Sequence, residues 1–262
     1  MEQQDEASVY VEYREELAII RLNRPKKRNA MNFDMWELIA DLVRQCEQDD
    51  RIKVIVFSGV DTSVFSAGAD ISEFEFVQRS RTKALRYNQA IMATEFTIMN
   101  CPKPTIAMIY GACVGGGCAI ALACDFRFSA DNGIFGITPA KLGILYNLPG
   151  TKNAVDLIGP SRTRDLLYTG RLLNSDEACR IGLIDRVHPV GELETQTYEY
   201  ARTICRNAQN SIRGAKQIIR DVLYGQTANS DETDRIVTDA FTSDNFREGI
   251  EAFMGKRSAR FR

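Results

Sequence analysis

Three consecutive glycines, Gly115, Gly116 and Gly117, interrupt an apolar segment and are the residues best suited to chemistry at the main chain. The residues before them, 105–110, are typical of a buried strand, and the small apolar residues 118–124 suit a tightly packed helix. A strand, a glycine turn and a helix N-terminus together favour negative charge, because the first N–H groups of a helix are unpaired and its dipole is positive there. A turn that serves only close packing is the alternative.

A basic cluster and a second glycine loop are further candidates for ligand contacts. Lys26, Lys27 and Arg28 follow a strand stop at 23–25, and they form either a solvated turn or a contact for phosphates. Small residues surround Gly68 in the loop 65–71, which leads into an acidic segment. From the residues alone, both interpretations of the basic cluster stay open.

The thiols do not form a recognisable site. The seven cysteines lack the paired C-x-x-C spacing of a zinc site. Cys113, Cys118 and Cys124 lie in the apolar stretch, which favours buried, reduced thiols. The only histidine, His188, follows a predicted strand far along the chain, so a Cys/His nucleophile is disfavoured. We therefore predict neither a metal site nor thiol catalysis.

Alternating strands and helices precede the triple glycine and must position it. A hairpin is predicted over 8–13 and 17–22, then a helix capped by Asn32 over 33–46 and a strand over 53–59. The next helix is predicted over 82–99. Its predicted inward side chains are Leu85, Ile91, Met92, Phe96 and Met99. This order is a βα alternation.

The second half of the chain changes from mixed to helical. Short strands are predicted at 126–128 and 134–137, and a strand at 183–187 interrupts a mostly helical pattern that starts at 152. Beyond residue 190 the pattern is helical. We take this change as a boundary between a core, 1–190, and a helical C-terminal region, 191–262.

Composition excludes several classes of protein. With 262 residues, 44% of them hydrophobic, and a net charge of −2, the chain can bury a large core and has no basic surface for nucleic acid. The acidic start, 1–6, cannot be the head of a signal peptide. No apolar run approaches the ~18 residues of a membrane helix. We expect a cytoplasmic protein.

Several motifs in this order resemble the crotonase, or enoyl-CoA hydratase/isomerase, superfamily. They are the turn 23–32, the loop 65–71, Lys103-Pro104 followed by Gly111 and the triple glycine, Cys124-Asp125, and 167–184 with Thr169-Gly170-Arg171. The resemblance implies an α/β spiral of ββα turns with a helical C-terminal trimerisation region. It also implies trimers or dimers of trimers, and a coenzyme A thioester as substrate with no separate cofactor.

The resemblance assigns roles to individual residues. In the family two backbone N–H groups hold the thioester oxygen as it becomes an enolate, and by motif position these belong to Ala69 and Gly116. Substrate contacts are implied at Arg28, Ala30, Ala67, Gly68, Asp70, Ile71, Thr138 and Lys256. The basic cluster at 26–28 thereby gains a candidate partner in the phosphates of coenzyme A.

Two alanines depart from the family pattern. Family hydratases carry a glutamate two residues after the triple glycine and another in the loop after the Phe-Gly strand, where this chain has Ala119 and Ala140. Alanine cannot transfer a proton, so hydration by that pair is not expected. Glu73 and Glu75 are other acids near the oxyanion loop, whereas Asp125 is interpreted as structural.

The loop 138–147 resembles that of the methylmalonyl-CoA decarboxylase branch, with Thr-Pro, Leu-Gly and Tyr-Asn at the same spacing. In that branch a tyrosine is proposed to orient the substrate carboxylate, and Tyr146 matches it, while Thr138 matches a substrate-contacting threonine. The branch differs in having a histidine in place of Ala69 and in keeping the first glutamate. Loss of CO₂ generates the enolate without a base, and carboxylates at 119 and 140 would repel a malonyl-type substrate.

We therefore expect a decarboxylase of a malonyl-type acyl-CoA, with Ala69, Gly116 and Tyr146 as catalytic residues. One alternative is an enoyl-CoA hydratase or isomerase with an atypical acid/base such as Glu73 or a water bound by Tyr146. Another is a non-catalytic acyl-CoA binder. Tyr146 as an ordinary packed aromatic also stays open.

Overall fold

The strands form two sheets. The computed structural model describes residues 7–261, so the acidic start at 1–6 lies outside the described residues. The strands are β1 (Val9–Arg14), β2 (Leu17–Leu22), β3 (Val54–Gly59), β4 (Val64–Ser66), β5 (Thr105–Ile109), β6 (Ala112–Val114), β7 (Phe126–Ala130), β8 (Ile134–Gly136), β9 (Leu173–Asn174) and β10 (Arg186–His188). The larger sheet has the order β1-β2-β3-β5-β7-β10, and the smaller has the order β4-β6-β8-β9.

The helices fill the connections and the C-terminal region. They are α1 (Phe33–Gln48), α2 (Phe74–Val77), α3 (Arg81–Asn100), α4 (Gly116–Ala123), α5 (Leu148–Thr169), α6 (Ser175–Arg180), α7 (Leu193–Cys205), α8 (Gln209–Leu223), α9 (Asp231–Thr242) and α10 (Asp244–Met254). Short 3-10 turns cover Pro25–Lys27, Ile71–Glu73 and Pro139–Leu142.

Successive turns of the chain contribute one strand to each sheet. β3, β5 and β7 are parallel neighbours in the larger sheet, and β4, β6 and β8 are parallel neighbours in the smaller one. Each of these strand pairs is followed by one or more helices before the next pair begins. The chain therefore winds as a spiral of ββα turns, as predicted.

Most predicted elements are present, but one strand differs in position, and the short elements β4, β6, β9 and α2 were not predicted. The hairpin and the cap are as predicted, since Asn32 Oδ1 accepts a hydrogen bond from Met35 N at 3.1 Å. The strand predicted at 183–187 is wrong in position, because β10 begins three residues later, at Arg186. The helical pattern predicted from 152 onward begins as α5, which is interrupted at Gly159 (φ 75°, ψ 165°) before Pro160 and so consists of two helical segments.

The larger sheet is buried on both faces, which explains its continuous apolar strands. Ala18 and Ile20 of β2 pack into one core with residues of α1 and α4, whereas Leu17 and Ile19 pack into a second core. α7 contributes to the second core through its own apolar face. From Leu193 onward the described residues contain helices and no strand, and the division of the chain at 190 stays a prediction.

Candidate active site

The two main-chain amides predicted to hold an oxyanion lie side by side. α4 begins at Gly116, and a β-carbon placed on Gly116 would lie 3.6 Å from Ala69 N. Within residues 7–261, neither the Ala69 N–H nor the Gly116 N–H is engaged by a hydrogen-bond acceptor. Both residues are partly exposed. The pair is therefore an accessible, unoccupied set of donors at a helix N-terminus, which suits an oxygen that gains negative charge.

Close backbone approach explains the glycines around this pair. Gly68 has a φ of 105°, and a β-carbon there would lie 3.0 Å from Val114 O and 3.7 Å from Gly116 N. Gly117 faces Ser66, whose carbonyl oxygen would lie 2.8 Å from an added β-carbon. A side chain at either position would separate the 65–71 loop from α4. The glycines thus bring the two amides together.

Asp70 ties the oxyanion loop to the basic turn. Its carboxylate, with 8% of the side chain exposed, lies 2.9 Å from Arg24 Nη2 and 3.1 Å from Lys27 Nζ. The hydroxyl of Ser72 also donates to it, at 2.6 Å. The hydrogen bond from Ser72, together with Arg24 and Lys27, holds the pKa of Asp70 far below its usual range. Asp70 is thus an ion-paired anchor for the loop that carries Ala69.

The basic cluster divides in the structure. Lys27 pairs with Asp70, whereas Lys26 and Arg28 are exposed. Arg28 adopts a left-handed conformation (φ 52°), and its carbonyl accepts from Ala67 N at 2.9 Å. Arg24, which was not among the predicted contacts, donates to the carbonyl of Ala30 at 2.5 Å. The turn and the loop 65–71 therefore form one bonded unit.

The other predicted contacts are more dispersed. Ile71 is 57% exposed and begins the 3-10 turn after the oxyanion loop. Thr138 precedes the 3-10 turn Pro139–Leu142. Lys256 follows α10, which packs against α9 and is hydrogen-bonded to α8 through Asn245 and Asn210. These contacts of α10 do not place Lys256 beside the amide pair, and the contact of Lys256 with substrate stays a prediction.

Tyr146 turns its hydroxyl into the protein beside a carboxyl group that the sequence interpretation missed. The ring of Tyr146 is partly exposed, but its hydroxyl is buried and has no hydrogen-bond partner among the described residues. Glu95 is fully buried on α3. A β-carbon placed on Gly150 would lie 2.6 Å from Tyr146 Cε1 and 2.9 Å from Glu95 Oε1. The two side chains thus border the same space at the start of α5.

Burial perturbs both of these groups. Desolvation raises the pKa of Glu95 to about 8, and the hydrogen bond from Asn147 offsets this only in part. Desolvation, followed by the nearby Glu95, Cys118 and Cys113, raises the pKa of Tyr146 well above its usual value. At neutral pH Glu95 is therefore mostly protonated, and it gains a proton or loses one near the pH at which an enzyme works.

The predicted inward face of α3 is only partly correct, since Ile91 and Met99 pack against the core but Leu85 and Phe96 do not, and this is why Glu95 was missed. Leu85 and Phe96, predicted to face inward, are 54% and 39% exposed. The buried residues are Tyr87, Thr94, Glu95 and Ile98. A stripe through 87, 91, 94, 95 and 98 also has helical spacing, but it contains a charged residue type that a search for apolar positions rejects.

The structure shows the surroundings of the remaining acidic residues and of the two alanines. Glu73 accepts from Phe33 N at 2.8 Å and so caps α1. Asp125 accepts from Thr105 N at 2.8 Å and pairs with Lys216 at 2.7 Å, as its structural interpretation requires. Ala119 is buried in α4, and Ala140 is exposed. Among the described residues, Glu95 is the carboxyl group that has a buried oxygen without a hydrogen-bond partner.

Other kinds of site find no support in the described residues. All seven cysteines are unpaired, and six of them are buried. No group of three or more His, Cys, Asp or Glu side chains in 7–261 is arranged to hold a metal ion. In the same range, no helix has both the length and the apolar character required to cross a membrane.

Comparisons with known proteins give a consistent result over nearly the whole chain. The sequence model of the enoyl-CoA hydratase/isomerase family matches residues 12–262. A crotonyl-CoA hydratase of Syntrophomonas wolfei is 34% identical over 259 residues, which is 97% of each chain. A short-chain-enoyl-CoA hydratase of Clostridium acetobutylicum is 30% identical over 254 residues, which is 95% of each chain. The crystal structure of an enoyl-CoA hydratase/isomerase family protein from Hyphomonas neptunium superposes with a TM-score of 0.95 at 38% identity, covering 98% of both chains.

Proposed function

The chain belongs to the enoyl-CoA hydratase/isomerase family, and we propose that it adds water to a 2-enoyl thioester of coenzyme A. The observation that carries this proposal is the pair of unengaged N–H groups at Ala69 and Gly116, which are close enough that a β-carbon placed on Gly116 would lie 3.6 Å from Ala69 N. The names of the hydratase relatives support it further.

In the proposed reaction the amide pair binds the thioester oxygen. Attack of water on the β-carbon moves electrons onto that oxygen, and the resulting enolate is held by two preorganised donors. Each such donor is worth roughly 3 kcal/mol in the transition state. The side chains of Ala69 and Gly116 take no part, since only their main-chain N–H groups act. The coenzyme A portion is expected along the turn and loop that contain Arg28, Ala30 and 67–71, with Thr138 near the acyl group.

The sequence favours decarboxylation, but we do not propose decarboxylation as the activity of this protein. The curated relatives described above are named as hydratases. In addition, Glu95 lies beside Tyr146, so this region of the protein does contain a carboxyl group that could transfer a proton. Ala119 and Ala140 therefore do not leave the site without an acid.

Crotonyl-CoA and methylmalonyl-CoA distinguish the possible activities. We expect the protein to convert crotonyl-CoA to 3-hydroxybutyryl-CoA and to release no CO₂ from methylmalonyl-CoA. Products are identified by mass spectrometry of the thioesters. Release of CO₂ without hydration would support a decarboxylase, and tight binding of both thioesters without turnover would support a non-catalytic binder.

We also propose that the chain self-associates, as a trimer or a dimer of trimers. The support is a set of apolar side chains that are largely exposed in the single chain: Leu145 is 94% exposed, Phe253 82%, Met254 77% and Phe241 64%. Sedimentation velocity is expected to give about three or six times the mass of one chain, and a monomer at micromolar concentration would contradict this.

A further inference from the structure

We propose that Glu95 is the catalytic acid/base of this site. This inference rests on the proposed hydration, since it assigns the proton transfers that Ala119 and Ala140 cannot perform. It is drawn from one buried carboxyl group, its unpaired oxygen and the elements that surround it.

The two oxygens of Glu95 have different surroundings. Asn147 Nδ2 donates to Oε2 at 2.5 Å, and Asn147 Oδ1 in turn accepts from Gly150 N at 2.8 Å. The side chain is therefore fixed by the N-terminal cap of α5. Oε1 has no hydrogen-bond partner among the described residues, although Glu95 is 0% exposed. A buried carboxyl oxygen without a partner is costly, so a group that binds there is expected.

A short path of contacts connects Glu95 to the amide pair. Its neighbour Thr94 donates to the carbonyl of Trp36 at 2.6 Å. The ring of Trp36 reaches Gly116, where an added β-carbon would lie 2.9 Å from Cζ2. On the other side, Tyr146 stands close enough to Cys118, in the first turn of α4, for the thiol to affect its pKa. Glu95 thus lies where α3 meets the start of α5, and both of these helices pack against α4.

The electrostatic surroundings leave Glu95 free to change its protonation state. Tyr146 is the titratable side chain that borders the same space as Glu95, and the groups that act on Tyr146 are Glu95, Cys118 of α4 and Cys113 of β6. Burial raises the pKa of Tyr146 and of Cys113, so both stay neutral in the working range. No charged side chain of the described residues contributes to the pKa of Glu95, which desolvation raises to about 8. An acid/base with a pKa near the working pH is the most effective kind.

The proposed transfer is balanced in atoms and electrons. Glu95 begins as a carboxylate that holds a water molecule through Oε1. As the water oxygen bonds to the β-carbon, one water proton passes to Glu95 and the C=C electron pair moves to the thioester oxygen. The enolate then collapses, and its α-carbon takes the proton from Glu95. The net result is addition of H and OH across the double bond, with the carboxylate regenerated.

The test compares the hydration of crotonyl-CoA by three variants, Glu95→Gln, Glu75→Gln and Glu73→Gln. Glu95→Gln preserves the shape and the acceptor for Asn147, but it cannot carry the proton. We expect kcat to fall by roughly 10²–10⁴-fold, with KM changed by less than about threefold. Glu75→Gln is the matched control, because Glu75 is a 76% exposed glutamate paired only with Arg79 on the surface, and its variant is expected to keep wild-type activity.

The pH profile separates catalysis from a purely structural role. For the wild type, kcat/KM is expected to rise with pH and to level off above about 8, where Glu95 becomes a carboxylate. The residual activity of Glu95→Gln should not show this rise. Should that variant fail to fold, Glu95→Asp keeps an ionisable group and is expected to keep a pH-dependent activity.

Three results would overturn the inference. If the wild type hydrates crotonyl-CoA and the rate of Glu95→Gln is within threefold of the wild-type rate, Glu95 is excluded as the acid/base. The proposed function is unaffected by that result. Loss of activity in Glu73→Gln with an unchanged Glu95→Gln would assign the role to Glu73 instead. If the wild type does not hydrate crotonyl-CoA at all, the proposed function fails, and the inference fails with it.

Discussion

Replacing Gly116 by proline is expected to lower kcat/KM for the enoyl thioester by about 10²–10³-fold, because it removes one of the two oxyanion donors. Gly116 is the first residue of α4, and proline is well tolerated at that position of a helix. The substitution therefore deletes the N–H group without breaking the intrahelical hydrogen bonds. Initial rates with crotonyl-CoA measure the effect.

Gly116→Ala is the matched control for this substitution. Its β-carbon meets Trp36 Cζ2 at the same 2.9 Å separation that the proline β-carbon would, but the N–H donor remains. We expect the alanine variant to lose much less activity than the proline variant. Equal activities of the two variants would show that packing against Trp36, and not the N–H group, determines the rate.

Stability is expected to decrease as the pH rises from 5 to 8, and Glu95→Gln should remove most of this decrease. Burial raises the pKa of Glu95 from 4.5 to about 8, so the folded protein holds this proton more tightly than the unfolded chain does. The resulting stabilisation is fully present below the unfolded pKa and is lost as the pH rises through the folded value. Its upper limit is about 5 kcal/mol.

The carboxyl groups with a lowered pKa act outside this pH window, whereas burial also raises the pKa of Glu73. Hydrogen bonds and ion pairs lower the pKa of Asp70 and that of Glu248, so their contributions are lost only in acid. Urea unfolding at pH 5.5 and pH 8 measures the change for the wild type, Glu95→Gln and the surface control Glu75→Gln. If the free energy of unfolding of Glu95→Gln decreases between pH 5.5 and pH 8 as much as that of the wild type, the raised pKa is not that of Glu95.

The backbone part of the site could be predicted from the sequence, because glycine and strand signals are local. Gly115–Gly117 predicted a helix N-terminus, and the small residues of the loop 65–71 predicted a second close backbone approach. The structure places Ala69 and Gly116 side by side. Such sites depend on main-chain conformation, which residue types such as glycine report directly.

The side-chain part could not be predicted in the same way. Whether Glu95 points inward depends on how α3 is rotated against α1 and α4, and an apolar count predicted this rotation only in part. Its raised pKa depends on burial by Tyr146, Asn147 and Gly150, which lie about fifty residues further along the chain. Similarly, the pairing of Asp70 with Arg24 required the turn and the oxyanion loop to be brought together.

The most direct test of the account is hydration of crotonyl-CoA in D₂O, with the product analysed by mass spectrometry and NMR. An enolate held by Ala69 and Gly116 must be protonated at the α-carbon by a proton that originates in solvent. We therefore predict 3-hydroxybutyryl-CoA with a single carbon-bound deuterium at the α position, formed far more slowly by Gly116→Pro. Recovery of unlabelled crotonyl-CoA, under conditions in which methylmalonyl-CoA loses CO₂, would contradict the account.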